Sequence, residues 1–159
     1  SRSGPCRFLQ VSVSRPAVLG RPASMASPTA IAIERNIARL GLSLPKMQPP
    51  AGNYVPFVRS GNLLYISGQV PHTLDTSALV TGHISHDGDR EAIERATFAA
   101  RLCALKLVAV MKMASPDGDL GRVRRVVRLE GFVSAGGGFT GHPSVINGAS
   151  DLLCEIFGG

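Results

Sequence analysis

Asn53-Tyr54-Val55-Pro56-Phe57-Val58-Arg59-Ser60-Gly61-Asn62-Leu63-Leu64-Tyr65-Ile66-Ser67-Gly68-Gln69-Val70-Pro71 is the stretch on which the fold turns. Two short runs rich in Val, Ile, Tyr and Phe flank Ser60-Gly61-Asn62. β-Branched and aromatic residues suit a pleated surface, and Gly and Asn tolerate positive φ, so the spacing predicts a hairpin with strands near 54–59 and 62–67. The second run ends in Ser-Gly-Gln and then a proline. A strand that stops at a glycine leaves backbone groups free and lets a ligand approach closely.

Outward from the hairpin, Pro28 follows Ser27 in an N-cap arrangement, and Ile33, Ile37 and Leu40 repeat at helical spacing up to Gly41. Residues 42–53 read as a linker, and 71–89 as mostly loop with a short strand near Leu79–Ser85. A long helix is predicted over 90–114, with Ile93, Ala96, Ala100, Cys103, Leu107 and Val110 on one face. Ser115-Pro116-Asp117-Gly118 breaks it. Residues 122–133 alternate, with Val127, Leu129, Gly131 and Val133 on one side and Arg128, Glu130 and Phe132 on the other, the pattern of a half-buried strand. A glycine loop at 135–141 leads to a last helix striped with Val145, Ala149, Leu152, Leu153 and Ile156. Hairpin, helix, strand and helix in this order imply an α+β domain, one sheet with helices packed on one face.

The 159 residues amount to one domain, large enough for a core without disulfides or a structural metal. The three cysteines lie far apart, and Cys103 and Cys154 read as small buried hydrophobes in helices. The formal charge of +6 is unevenly placed: residues 1–24 hold Arg2, Arg7, Arg15 and Arg21 and no acid, leaving 13 basic against 11 acidic residues in the rest. The globular part is close to neutral, which argues against nucleic acid as a partner. Arg122, Arg124, Arg125 and Arg128 form the one basic patch, and a solvated strand edge accounts for it. No apolar run approaches the roughly 20 residues of a membrane span.

Residues 1–27, rich in Arg and Ser and free of acids, are expected to stand outside the fold as a transit peptide or non-native extension. The domain is then 28–159, and the location mitochondrial if residues 1–24 are such a peptide and cytoplasmic otherwise.

Several motifs carry less than they suggest. Gly136-Gly137-Gly138-Phe139-Thr140-Gly141 matches G-x-G-x-x-G, but no second parallel strand with an acidic end follows, so no dinucleotide cofactor is expected. His83-x-x-His86 lies in a turn without a third ligand nearby, and no metal is expected. Glu91 and Glu94 suit a first helical turn and need no paired-carboxylate chemistry.

The Tyr-hairpin-Ser-Gly-Gln-x-Pro pattern resembles the YjgF/RidA family of imine deaminases, also described as endoribonuclease L-PSP-like. Leu79–Gly82, Arg101–Leu105 and Ile146–Leu152 match further segments of one branch of that family, so the resemblance covers about residues 29–158. It implies a chorismate-mutase-like subunit and a homotrimer with clefts between subunits. It also implies hydrolysis of enamine or imine intermediates of the 2-aminoacrylate type to a 2-oxo acid and ammonia, with no cofactor. Tyr54, Ser67, Gly68, Gln69 and Asn147 match the residues that line the family's cleft and bind the 2-imino acid. Alone, each also has a plain reading: a hairpin tyrosine, a bulge at Gly68, a polar residue at a helix start.

The family's catalytic arginine and a final strand follow the last helix, and this sequence ends before that segment. No catalytic residue is therefore assigned within it, the C-terminal strand is expected to be missing, and the activity is expected to be weak or absent. The alternative is a non-catalytic subunit that joins partner subunits in a larger, mitochondrial assembly. A sheet lacking that strand is expected to leave an edge exposed or to borrow a cover.

Overall fold

The computed structural model describes residues 6–14, 27–47 and 52–158. Its elements are β1 (Cys6–Ser14), α1 (Pro28–Arg39), β2 (Phe57–Ser60), β3 (Leu63–Gln69), α2 (Arg90–Ala114), β4 (Arg125–Val133) and α3 (His142–Phe157), with 3-10 turns at Pro116–Gly118 and Leu120–Arg122. The fold is α+β, as the sequence predicts: the strands form one antiparallel sheet in the order β2-β3-β1-β4, and helices pack on it.

Local chemistry sets the helix ends. Ser27 Oγ accepts the Ala30 N–H at 3.1 Å and so caps α1, while Pro28 occupies the first turn, where its missing N–H costs nothing. Gly41 ends the helix at φ +67°, a left-handed conformation that glycine adopts without a Cβ penalty. Asp89 caps α2 by accepting the Ala92 N–H at 3.2 Å, and Arg90–Glu94 and Arg95–Glu91 pair one turn apart. Glu91 and Glu94 are thus accounted for.

The core lies between the sheet and α2, and between α2 and α3. From Ala99 to Met111 the helix α2 is buried nearly all round. Leu64 and Ile66 of β3 face it, and Leu152, Leu153 and Ile156 of α3 close the other side. Each such side chain contributes about 1.5–3 kcal/mol when fully removed from water. A second, smaller cluster joins Ile84, Ala96, Phe139 and Val145.

Four expectations are corrected. Residues 1–27 do not all stand outside the fold: β1 runs between β3 and β4, with Val11 opposite both Ile66 and Leu129. The physical reason is that β3 and β4 do not pair with each other, so a strand-wide gap must be filled, and Phe8-Leu9-Gln10-Val11-Ser12-Val13 alternates in the strand manner. The rest of 1–27 other than Ser27 lies outside the described residues. Val127 does not share the buried face with Leu129: the register shifts between Ser12 and Val13, and Val126 packs on the core in its place. Leu79–Ser85 holds isolated bridges, His72 to Leu79 and Ile84 to Ala135, rather than a strand. Cys154 is exposed, because it falls on the solvent side of α3, whereas Cys103 is buried as expected.

Candidate functional site

The end of β3 gathers four of the five expected site residues. Between the pairs Leu9–Gln69 and Val11–Ile66, β1 has one residue and β3 has two, Ser67 and Gly68. Two residues against one is a β-bulge, which interrupts the ladder and re-aims the chain. Ser67 then reaches across the hairpin. Its Oγ donates to the Val55 carbonyl at 2.6 Å and its N–H donates to the Pro56 carbonyl at 3.0 Å. These two bonds hold the segment entering β2 against the bulge, and Tyr54, next to Val55, stands beside it with half its surface in solvent. The Ser67 hydroxyl is therefore committed as a donor and serves as a clamp.

Gln69 points into the protein. It is buried, and its Nε2 donates to the Ser67 carbonyl at 3.0 Å, fixing the bulge from within. Beyond Gln69 the strand ladder ends, and its carbonyls need other donors. Side chains of α2 supply them: Cys103 Sγ donates to the Gln69 carbonyl at 3.4 Å, and Lys106 Nζ to the Val70 carbonyl at 3.1 Å. Lys106 Nζ also lies 3.2 Å from His72 Nδ1.

Burial pushes the Lys106 amine below its ordinary range, with Cys103 opposing the shift. Burial also lowers His72, reinforced by the Lys106 charge and opposed by a bond with Val70. Cys103, Lys106 and His72 were not legible as site residues. The available signal was a single cation, Lys106, inside the apolar run Leu102–Met111.

Among the described residues no hydrogen bond joins Asn147 to this cluster. It is exposed on α3, and its carbonyl accepts the Ser150 hydroxyl at 3.3 Å. The glycine loop is structural: Gly136 N–H donates to the Ile84 carbonyl at 2.8 Å, and a Cβ at Gly136 would meet the His86 nitrogen at 2.9 Å. His83 Nδ1 lies 3.0 Å from Ser134 Oγ and His86 contacts Asp87. Among the described residues no group of three His, Cys, Asp or Glu could hold a metal ion, and no helix is long and apolar enough to cross a membrane.

The basic patch is thin. Arg124 and Arg125 are exposed, Arg128 is paired with Glu130 at 2.5 Å, and Arg122 turns a solvent-sealed Nε inward.

Comparison with known proteins adds a family to this geometry. Residues 34–159 match a family model described as "YjgF/chorismate_mutase-like, putative endoribonuclease". The chain is 43% identical over 126 residues to Protein TCP17 of Trypanosoma cruzi, a match that spans 79% of this chain and 75% of that one. A crystal structure of an Agrobacterium tumefaciens protein of unknown function aligns with a TM-score of 0.68 at 38% identity, covering 82% of this chain and 75% of its own. A crystal structure titled as a "putative endoribonuclease" from Shewanella oneidensis MR-1 aligns with a TM-score of 0.71 at 34% identity, covering 80% of each chain.

Proposed function

This chain belongs to the YjgF/chorismate-mutase-like family, and from that premise we propose that it binds small 2-imino or 2-enamino acids at the β3 strand end. The observation that carries this reading is the bulge at Ser67–Gly68, with the Tyr54 segment clamped beside it through Val55 and Pro56. A bulge offers backbone groups outside the ladder, a glycine there admits a ligand closely, and an adjacent phenol gives a polar tip on an apolar ring. Water directed at the imine carbon then yields a 2-oxo acid and ammonia without a cofactor, by positioning alone.

The substrate carboxylate calls for a guanidinium. Among the described residues the arginine side chains bond to Ala114, Glu94, Glu91, Glu155 and Glu130, and none of these bonds reaches Ser67–Gln69. Binding by residues 1–159 alone is therefore proposed to outlast efficient hydrolysis.

The test is a nuclear magnetic resonance titration with pyruvate, a 2-oxo acid of the product class. The reading expects shifts concentrated at Tyr54, Ser67 and Gly68, and at least fivefold weaker binding in Ser67→Ala. Shifts confined to other elements would overturn it.

A second reading, a subunit in an assembly, has its own observation. Val58 and Tyr65 are cross-strand partners on the face away from α2, 55% and 41% exposed, and Val127 on β4 is 47% exposed. Apolar surface of this kind favours association. We take the occupant to be further copies of this chain, in the trimer that the family resemblance implies. Sedimentation of the wild type against Tyr65→Lys tests it: a trimer reduced to monomer supports the reading, and a wild-type monomer rejects it.

A further inference from the structure

We propose that Lys106 is a carbonyl-reactive amine, condensing with small aldehydes or 2-oxo acids to an imine while His72 carries the proton. The site lies on the α2 side of the β3 end and does not depend on ligand binding at the bulge.

The arrangement of acceptors singles out this lysine. An ammonium has three donors and no acceptor. Two of the Lys106 donors are met by neutral groups, the Val70 carbonyl at 3.1 Å and His72 Nδ1 at 3.2 Å. No carboxylate pairs with it among the described residues, whereas Lys112 is held by Glu34 at 2.6 Å and Lys46 is exposed. Lys106 is half-buried, so its charged form loses hydration, and the neighbouring Cys103 offsets that loss only in part. The lowered pKa of its amine follows from the same desolvation and raises the neutral, nucleophilic fraction.

His72 completes the site. To accept from Lys106 at Nδ1 it carries its own proton on Nε2. The Lys106 ammonium passes one proton to Nδ1, and the neutral amine attacks the carbonyl carbon. The C–N bond forms as the C=O π electrons move to oxygen, which takes a proton from nitrogen to give a carbinolamine. His72 returns its proton to that hydroxyl, which leaves as water, and a protonated imine remains. One ammonium and one carbonyl give one iminium and one water, with His72 unchanged.

The chain has three lysines, Lys46, Lys106 and Lys112, so the two others are internal controls. The protein of residues 1–159 is treated with millimolar glyoxylate and cyanoborohydride at pH 7, and labelling at each lysine is followed by peptide mass mapping. Lys106 is expected to be labelled about tenfold faster than Lys46. His72→Gln, which can accept a hydrogen bond but not carry the proton, is expected to slow Lys106 alone. Labelling of Lys106 no faster than Lys46 would overturn the proposal, and this comparison needs only the wild-type protein. Unchanged Lys106 labelling in His72→Gln would overturn the role of His72.

Discussion

Gly148 of α3 lies against Thr97 of α2 so closely that a Cβ at position 148 would stand 2.3 Å from the Thr97 carbonyl oxygen and 2.8 Å from its Cγ2. The two helices meet backbone to backbone at this point, and only a missing side chain permits it. Alanine would favour the isolated helix by about 1 kcal/mol. The clash is with backbone, however, and overpacking of this kind costs roughly 1–3 kcal/mol. Gly148→Ala is therefore expected to lower stability, read as a lower urea midpoint at unchanged slope. A higher midpoint would show that α2 and α3 can part without loss.

Ser27 joins two elements. Its Oγ accepts from Ala30 N and donates to Asp119 Oδ1 at 3.1 Å, and Asp119 Oδ1 in turn accepts the Gly121 N–H at 2.8 Å. Ser27→Ala removes the α1 cap and the link to the turn before β4. A loss of about 1–2 kcal/mol is expected, measured by thermal or urea denaturation. An unchanged midpoint would place the start of α1 elsewhere.

Val11 decides whether β1 belongs to the sheet in solution. Its backbone is paired with Ile66 on one side and Leu129 on the other, and proline has no N–H to give an interior ladder. Val11→Pro is expected to cost on the order of 1–3 kcal/mol, the penalty of an unsatisfied buried group. A variant as stable as the wild type would return residues 6–14 to the exterior.

His72 sets an acid limit. Its pKa is lowered from the ordinary 6.5 by burial and by Lys106. The unfolded chain therefore takes up this proton at higher pH than the folded one. The contribution to stability is complete above about pH 6.5 and is lost as pH falls through the folded value. Thermal midpoints of the wild type and His72→Gln, compared from pH 7.5 to 5.5, are expected to show the wild type losing more. Parallel curves would mean that His72 titrates alike in both states.

A polypeptide of residues 1–159 is expected to hydrolyse 2-iminopropionate far more slowly than a family member with a carboxylate-binding arginine. Two hydrogen bonds to a charged group, at roughly 1.5–3 kcal/mol each, correspond to about two to four powers of ten in rate. Imine disappearance and ammonia release measure it. Comparable rates would show that another group in this chain anchors the carboxylate.

The hairpin around Gly61, the cap at Ser27 and both ends of α2 could be read from residues alone, because turn, cap and helix-break chemistry acts over a few neighbours. The same local reading singled out Ser67–Gly68 as the place where the strand stops being regular, and the bulge is there. What tertiary structure decided involves partners distant in sequence. β1 joined the sheet because the gap between β3 and β4 needed a strand, a demand that residues 6–14 do not display by themselves. Val126 replaced Val127 on the core because register is set across the ladder, and a one-residue slip exchanges the two faces. Lys106 and His72, 34 positions apart, met only because α2 crosses the end of β3, where carbonyls released from the sheet required a donor.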